Sequence, residues 1–65
     1  MSNQTVFYQA RAAEEREKAA KAGLANVRDC HLRAAEAWDV LAARSDKSDR
    51  FRAAEEQRKA EVAQL

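Results

Sequence analysis

Apolar and small residues recur at intervals of three and four along much of this chain, which is the spacing of one helix face. The clearest stripe is spaced 3, 4, 3, 4 and 3, and its members are Leu24, Val27, His31, Ala34, Trp38 and Leu41. A stripe of mostly small residues precedes it, consisting of Tyr8, Ala12, Glu15 or Arg16, Ala19 and Ala22. The pattern predicts two helices, over residues 4–22 and 27–44.

Gly23, the only glycine, lies between the two stripes. Many helices end on a glycine in the left-handed conformation, so we expect Gly23 just beyond the first helix. Asn26 is a good N-cap residue with Asp29 three positions later, and this predicts the start of the second helix. Three residues remain open as the cap of the first helix: Ser2, Asn3 and Thr5.

Two helices of similar length with a connection of about four residues are typical of an antiparallel αα-hairpin. Folding the chain at its glycine brings three pairs of positions together: Tyr8 with Leu41, Ala12 with Trp38, and Ala19 with His31. Large side chains opposite small ones favour close helix packing. We therefore expect Trp38 to lie across alanines of the first helix.

The stretch "SDKSD" at residues 45–49 interrupts the helical pattern, because Ser and Asp compete for backbone hydrogen bonds and favour caps. It predicts a shorter third helix over residues 49–64, capped by Ser45 or Ser48. The weak stripe of this segment consists of Phe51, Ala54 or Glu55, Arg58, Val62 and Leu65. One long helix over residues 27–64 is the alternative. Either way, the sequence predicts a single small all-α domain over residues 1–65.

Composition strengthens the helical prediction, with no proline, one glycine, 16 alanines and 23 charged residues. The tetrapeptide "RAAE" at residues 11–14, 33–36 and 52–55 fits it too, since Arg and Glu three apart are neighbours on a helix. Alanine supplies little apolar area, and a 65-residue chain buries only a small hydrophobic core. We therefore expect self-association, most simply a homodimer that completes a helical bundle.

Charge is balanced, with 12 basic and 11 acidic residues, and the net charge is +1 over residues 1–24 and zero over 25–44 and 45–65. A nucleic-acid-binding protein normally carries a basic excess, so nucleic acid is not the expected partner. The alternative, a small nucleic-acid-associated regulator, requires five arginines on one surface: Arg28, Arg33, Arg44, Arg50 and Arg52. A lone cysteine and the absence of an 18-residue apolar run predict a cytoplasmic protein without a membrane segment.

Cys30 and His31 are the only cysteine and histidine, and adjacent helical positions point about 100° apart. One chain therefore lacks the ligands of a typical zinc site, and the two side chains do not converge as a nucleophile and base. We expect His31 in the hairpin seam, bonded to Glu15, and Cys30 as a partly buried filler. No metal, cofactor, small-molecule substrate or enzymatic activity is expected.

Aromatic and large apolar residues dominate protein interfaces. The candidate packing or interface residues are Tyr8, Trp38, Leu41 and Phe51. The sequence therefore favours a non-catalytic protein–protein interaction module, whose partner is a second copy or an unidentified protein.

The run "FYQARAAEEREKAAKAGLANVRDCHLRAAEAWDVLAAR", residues 7–44, resembles a set of short uncharacterised proteins of alphaproteobacteria. Their pattern is an aromatic residue followed by "RA-EE", and then "V-R--HL-AA-AW--LA-R". The segment "RAAEAWDVLAAR" is also similar to the second helix of a tetratricopeptide-type helix pair. The first resemblance implies a bacterial protein, both imply a helical hairpin, and neither assigns an activity.

Overall fold

The computed structural model describes all 65 residues, as two α-helices with a short connection. Helix α1 spans Asn3–Lys21 and helix α2 spans Ala25–Ala63, and the chain has no β-strand. Hydrogen bonds join Thr5 to Ser45 and Glu15 to His31, so the helices run antiparallel. The predicted all-α hairpin is confirmed.

Ser2 is the N-cap of α1, which settles the choice among the three candidates. Its backbone is extended, and its side-chain oxygen accepts a hydrogen bond of 3.2 Å from the backbone N–H of Thr5. This bond satisfies one of the N–H groups that a helix start leaves unpaired. Lys18 and Lys21 lie in the last turn of α1, where their positive charges interact favourably with the helix dipole and stabilise the helix.

The connection between the helices differs from the prediction. Gly23 does not adopt a positive φ, and a Cβ atom placed there would meet no other atom within 4 Å. The chain turns instead through extended conformations at Ala22 and Leu24. Asn26 lies inside α2, whose N-cap is Leu24 without a side-chain hydrogen bond. The predicted left-handed glycine and the predicted Asn26 cap are therefore both wrong.

Helix α2 is unbroken through residues 45–49, so the predicted third helix is wrong and the alternative of one long helix describes the structure. The reason is that the polar side chains of this stretch have other partners. Ser45 and Asp49 bond to Thr5 of α1, and Asp46 pairs with Arg50 one turn later at 3.0 Å. At 1.5 Å per residue, α2 is about 58 Å long. The molecule measures 62 Å along its longest axis.

The seam between the helices is built from small residues. The buried side chains are Thr5, Ala12 and Ala19 of α1 and Ala35, Ala42 and Ser45 of α2. Those of α1 recur every seven residues, which is the repeat of one helix face in a coiled pair. Small residues let two helix backbones approach closely, so the interior of this hairpin has no room for large side chains.

The predicted stripe of α1 coincides with the seam, where Ala12 and Ala19 are buried and Tyr8, Glu15 and Ala22 are half-buried. The predicted stripe of α2 is displaced. Its members His31, Ala34 and Trp38 are half-buried, whereas Leu24, Val27 and Leu41 are exposed. The alanines that form the α2 seam lie one position further along the chain, so α2 is rotated to turn its large aliphatic side chains away from α1.

Candidate interaction surface

Four polar residues fix the open end of the hairpin, where α1 begins. The Asp49 carboxylate accepts hydrogen bonds from the backbone N–H of Ser2, at 2.9 Å, and from the Thr5 hydroxyl, at 2.7 Å. The hydroxyl oxygens of Thr5 and Ser45 are 2.6 Å apart. Thr5 is completely buried, so these polar groups satisfy one another inside the seam. The cluster holds the first turn of α1 against residues 45–49.

Two carboxylates of the seam have lowered pKa values. The pKa of Asp49 falls from 3.8 to about 2, first because the backbone N–H of Ser2 donates to it and then because the Thr5 hydroxyl does. The pKa of Glu15 is also lowered, chiefly by its hydrogen bond with His31. Hydrogen bonds to the charged form favour ionisation. Both carboxylates are therefore ionised at neutral pH.

The Cys30–His31 pair is divided between two environments. His31 Nδ1 lies 2.7 Å from a carboxylate oxygen of Glu15 across the seam, as predicted. Cys30 is an exposed free thiol, so its predicted role as a partly buried filler is wrong. The chain contains no group of three or more His, Cys, Asp or Glu side chains placed to hold a metal ion. The bond between His31 and Glu15 is therefore a polar contact between the two helices.

Three aromatic rings meet on one side of the hairpin. Phe7, Tyr8 and Trp38 form a triangle with centroid separations of 5.9–6.0 Å, and Phe7 meets Trp38 edge to face. The guanidinium of Arg11 lies 5.5 Å from the Phe7 centroid and 6.0 Å from that of Trp38. Such distances allow cation–π attraction. Leu41 is one turn from Trp38, and we call Phe7, Tyr8, Trp38 and Leu41 the aromatic face.

The structure brings three of the four candidate interface residues together. Tyr8 and Leu41 line one open cleft of about 250 Å³, together with Arg44 and Ser48. Trp38 lies against Tyr8, at a ring separation of 5.9 Å. Sequence reasoning did not place Phe7 or Arg11 in this group. Phe7 is adjacent to Tyr8 and lies four positions before Arg11, and this spacing could have indicated that both belong to the group.

Phe51 lies apart from the aromatic face, ten residues beyond Leu41 and therefore about 15 Å further along α2. It belongs to the part of α2 that projects past the start of α1. We call residues 50–63 the extension. Phe51 is 67% exposed, and every residue of the extension is exposed except Glu55, which is half-buried. The extension is therefore almost entirely open to solvent.

The large apolar side chains lie outside the seam. Those that are exposed are Met1, Val6, Phe7, Leu24, Val27, Leu32, Val40, Leu41, Phe51, Val62 and Leu65. The buried hydrophobic residues, by contrast, are four alanines. Single exposed apolar residues are normal on proteins, but a small chain that buries none of its large aliphatic residues is not. The apolar surface of this protein is therefore its outer surface.

The five arginines of the nucleic-acid alternative do not share one surface. Arg28 and Arg33 are five positions apart on α2, which separates their directions by about 140°. Arg50 and Arg52 are paired with Asp46 and Asp49 of the same helix. These five arginines therefore do not form one basic face of α2.

Neither helix combines the length and the apolar composition that a membrane-spanning segment needs. Comparison with known proteins gives no match: no family model fits the chain, and no curated protein or solved structure is significantly similar to it.

Proposed function

We propose that the protein is a non-catalytic protein-contact module that self-associates, as a homodimer. The observation that carries this proposal is the distribution of the apolar residues. The buried hydrophobic residues are alanines, whereas the large aliphatic side chains are exposed. An alanine buries a single methyl group, whereas covering a Val, Leu or Phe is worth about 1.5–3 kcal/mol. A second copy supplies the cover that one chain lacks.

The aromatic face is the best-suited contact surface on the hairpin. Phe7 is 50% exposed and Leu41 is 36% exposed, although both belong to a cluster with Tyr8 and Trp38. Aromatic residues flanked by arginine are typical of interface hot spots. Arg11 occupies the rim of this cluster, where Glu14 bonds to it at 2.9 Å. The face thus has an apolar centre and a charged border, as protein interfaces do.

Two neighbouring substitutions test the proposal. Leu41→Lys places a charge in the proposed contact surface, and we expect it to weaken self-association by at least about tenfold, because the charge must be desolvated on binding. Val40→Lys is the matched control. Val40 is also an exposed aliphatic residue of α2, but it points about 100° away from Leu41. Sedimentation velocity over a range of concentrations measures both, with circular dichroism to verify helicity.

The proposal predicts a wild-type mass of twice 7.3 kDa at high concentration and a thermal midpoint that rises with concentration. A wild-type chain that stays at 7.3 kDa at millimolar concentration contradicts self-association. An unidentified protein would then be the remaining occupant of the aromatic face. The proposal also places the protein in the cytosol, since a lone exposed thiol suits a reducing compartment.

A further inference from the structure

A second stripe of α2 lies beside the seam and is only partly covered by its own chain. Its members are spaced alternately by three and four: Ala34, Ala37, Leu41, Arg44, Ser48, Phe51, Glu55, Arg58 and Val62. We call these residues the outer stripe. None of them is buried. Its first half, beside α1, is mostly small, whereas its second half, on the extension, carries Phe51, Val62 and a charged pair.

The two halves are complementary when two α2 helices are laid antiparallel with Ser48 of each opposite Phe51 of the other. Val62 then faces Ala37, so a larger apolar side chain meets a small one, as close packing favours. Glu55 faces Arg44, which has no carboxylate partner within its own chain. Each contact occurs twice because the arrangement has two-fold symmetry.

We propose that the second copy lays its extension antiparallel along the outer stripe, with its Glu55 on Arg44 and its Phe51 at the cleft beside Ser48. This inference rests on the proposed self-association and names the surface that makes it. The cleft at Ser48 is open, has a volume of about 250 Å³ and is bordered by Tyr8 and Leu41. In the proposed register, Phe51 of the second copy lies at this cleft, and its side chain is 67% exposed in the single chain.

The charged residues of the outer stripe distinguish this arrangement from a parallel pair and from antiparallel pairs shifted by one heptad. In a parallel pair each stripe residue faces its own copy, so Arg44 meets Arg44 and Glu55 meets Glu55. Sliding the antiparallel pair apart by one heptad sets Phe51 against Glu55. Sliding it together by one heptad sets Arg44 against Ser48, Leu41 against Phe51 and Glu55 against Ala37, so neither Arg44 nor Glu55 faces an opposite charge. Of these arrangements, only the proposed register places Arg44 opposite Glu55, and the parallel pair sets like charges against each other, which is destabilising.

A charge swap tests the register. Arg44→Glu alone and Glu55→Arg alone each turn two ion pairs into two like-charge contacts, and we expect about a tenfold rise in the dimer dissociation constant. The double variant Arg44→Glu/Glu55→Arg restores opposite charges and should return within about threefold of wild type. An equimolar mixture of the two single variants should form the heterodimer.

The rescue isolates the contact between chains. Glu55→Arg also removes the 3.2 Å pair with Arg58 of the same helix, but the double variant does not restore that pair. Recovery therefore reports the intermolecular contact. Glu56→Arg is the matched control, since it makes the same charge change one position away and about 100° around the helix. It should leave the dissociation constant within about threefold of wild type.

Disulfide cross-linking tests the orientation. In a Cys30→Ala background, chains carrying Ala37→Cys are mixed with chains carrying Val62→Cys and mildly oxidised. The proposed pairing gives the mixed dimer, because these positions face each other across the two helices. A parallel pair instead links Ala37→Cys to itself and Val62→Cys to itself, since the two positions are about 37 Å apart along α2.

The outcomes separate this inference from the proposed function. A wild-type dimer whose charge-swap double variant stays weak, or whose mixed disulfide does not form, overturns the register while self-association stands. A wild-type chain that is monomeric at millimolar concentration overturns both. Rescue together with the mixed disulfide supports both.

Discussion

Replacing Ala12 by leucine places three additional carbon atoms at one of the most completely buried positions of the hairpin. Ala12 is 1% exposed and lies on the seam between Thr5 and Ala19, each seven residues away. The helices are held together by hydrogen bonds on both sides of it, Thr5 with Ser45 and Glu15 with His31. Overpacking a filled interior costs about 1–3 kcal/mol, because side chains leave their rotamers or the backbones separate.

For a chain of this size, each kcal/mol lowers the thermal midpoint by about 4–8 °C. We therefore expect Ala12→Leu to lose at least about 4 °C when its melting is followed by circular dichroism at fixed protein concentration. Ala13→Leu is the matched control, because Ala13 is exposed on the same turn. It should remain within about 0.5 kcal/mol of wild type. An Ala12→Leu variant as stable as its control would show that the seam is not closely packed.

Two further predictions concern the cluster at the open end of the hairpin. Thr5→Val keeps the shape of the buried side chain but removes its bonds to Ser45 and Asp49, and urea denaturation should show a loss of about 1–3 kcal/mol. The lowered pKa of Asp49 predicts an acid-dependent loss of stability. Its contribution is complete above the ordinary pKa of 3.8 and disappears as the pH falls through about 2. Wild type should therefore lose more stability than Asp49→Asn in that interval when urea midpoints are compared, and parallel curves would contradict the assignment.

Helical content and the hairpin could be predicted because both depend on local signals. Alanine and paired charges favour helix throughout, and the break in periodicity near residue 23 marks the reversal. The details of that reversal could not. Gly23 suggested a left-handed stop, yet extended conformations at Ala22 and Leu24 turn the chain without one. Residue preference did not determine the turn conformation in a connection this short.

The unbroken α2 was only the alternative prediction, because the Ser and Asp side chains that compete with helix formation bond to distant partners instead. Ser and Asp break helices when their side chains bond to nearby backbone. Here Ser45 and Asp49 bond to Thr5, about forty positions away in the chain, so the local competition is removed. No property of the segment "SDKSD" by itself reveals that partner.

The face of α2 was misassigned because periodicity was judged by the largest residues. The stripe through Val27, Trp38 and Leu41 has the expected spacing, but so do the alanines beside it. Ala35 and Ala42 form the seam, since only small residues fit between closely approaching helices. Folding at Gly23 paired Tyr8 with Leu41 but set Trp38 against Ala12, so the contact of Trp38 with Tyr8 was not predicted. The separate position of Phe51 depended on α2 continuing past α1.

The proposed contacts of the extension require α2 to be one straight helix whose residues 50–63 stand clear of α1. A distance between two spin labels measures this directly, with one on the exposed native thiol of Cys30 and the other on Ala60→Cys, in labelled chain diluted with unlabelled chain. An unbroken helix predicts about 45 Å for these thirty positions. A distance below about 30 Å, which a helix broken near residue 47 and folded back would give, would contradict the extension and the contacts built on it.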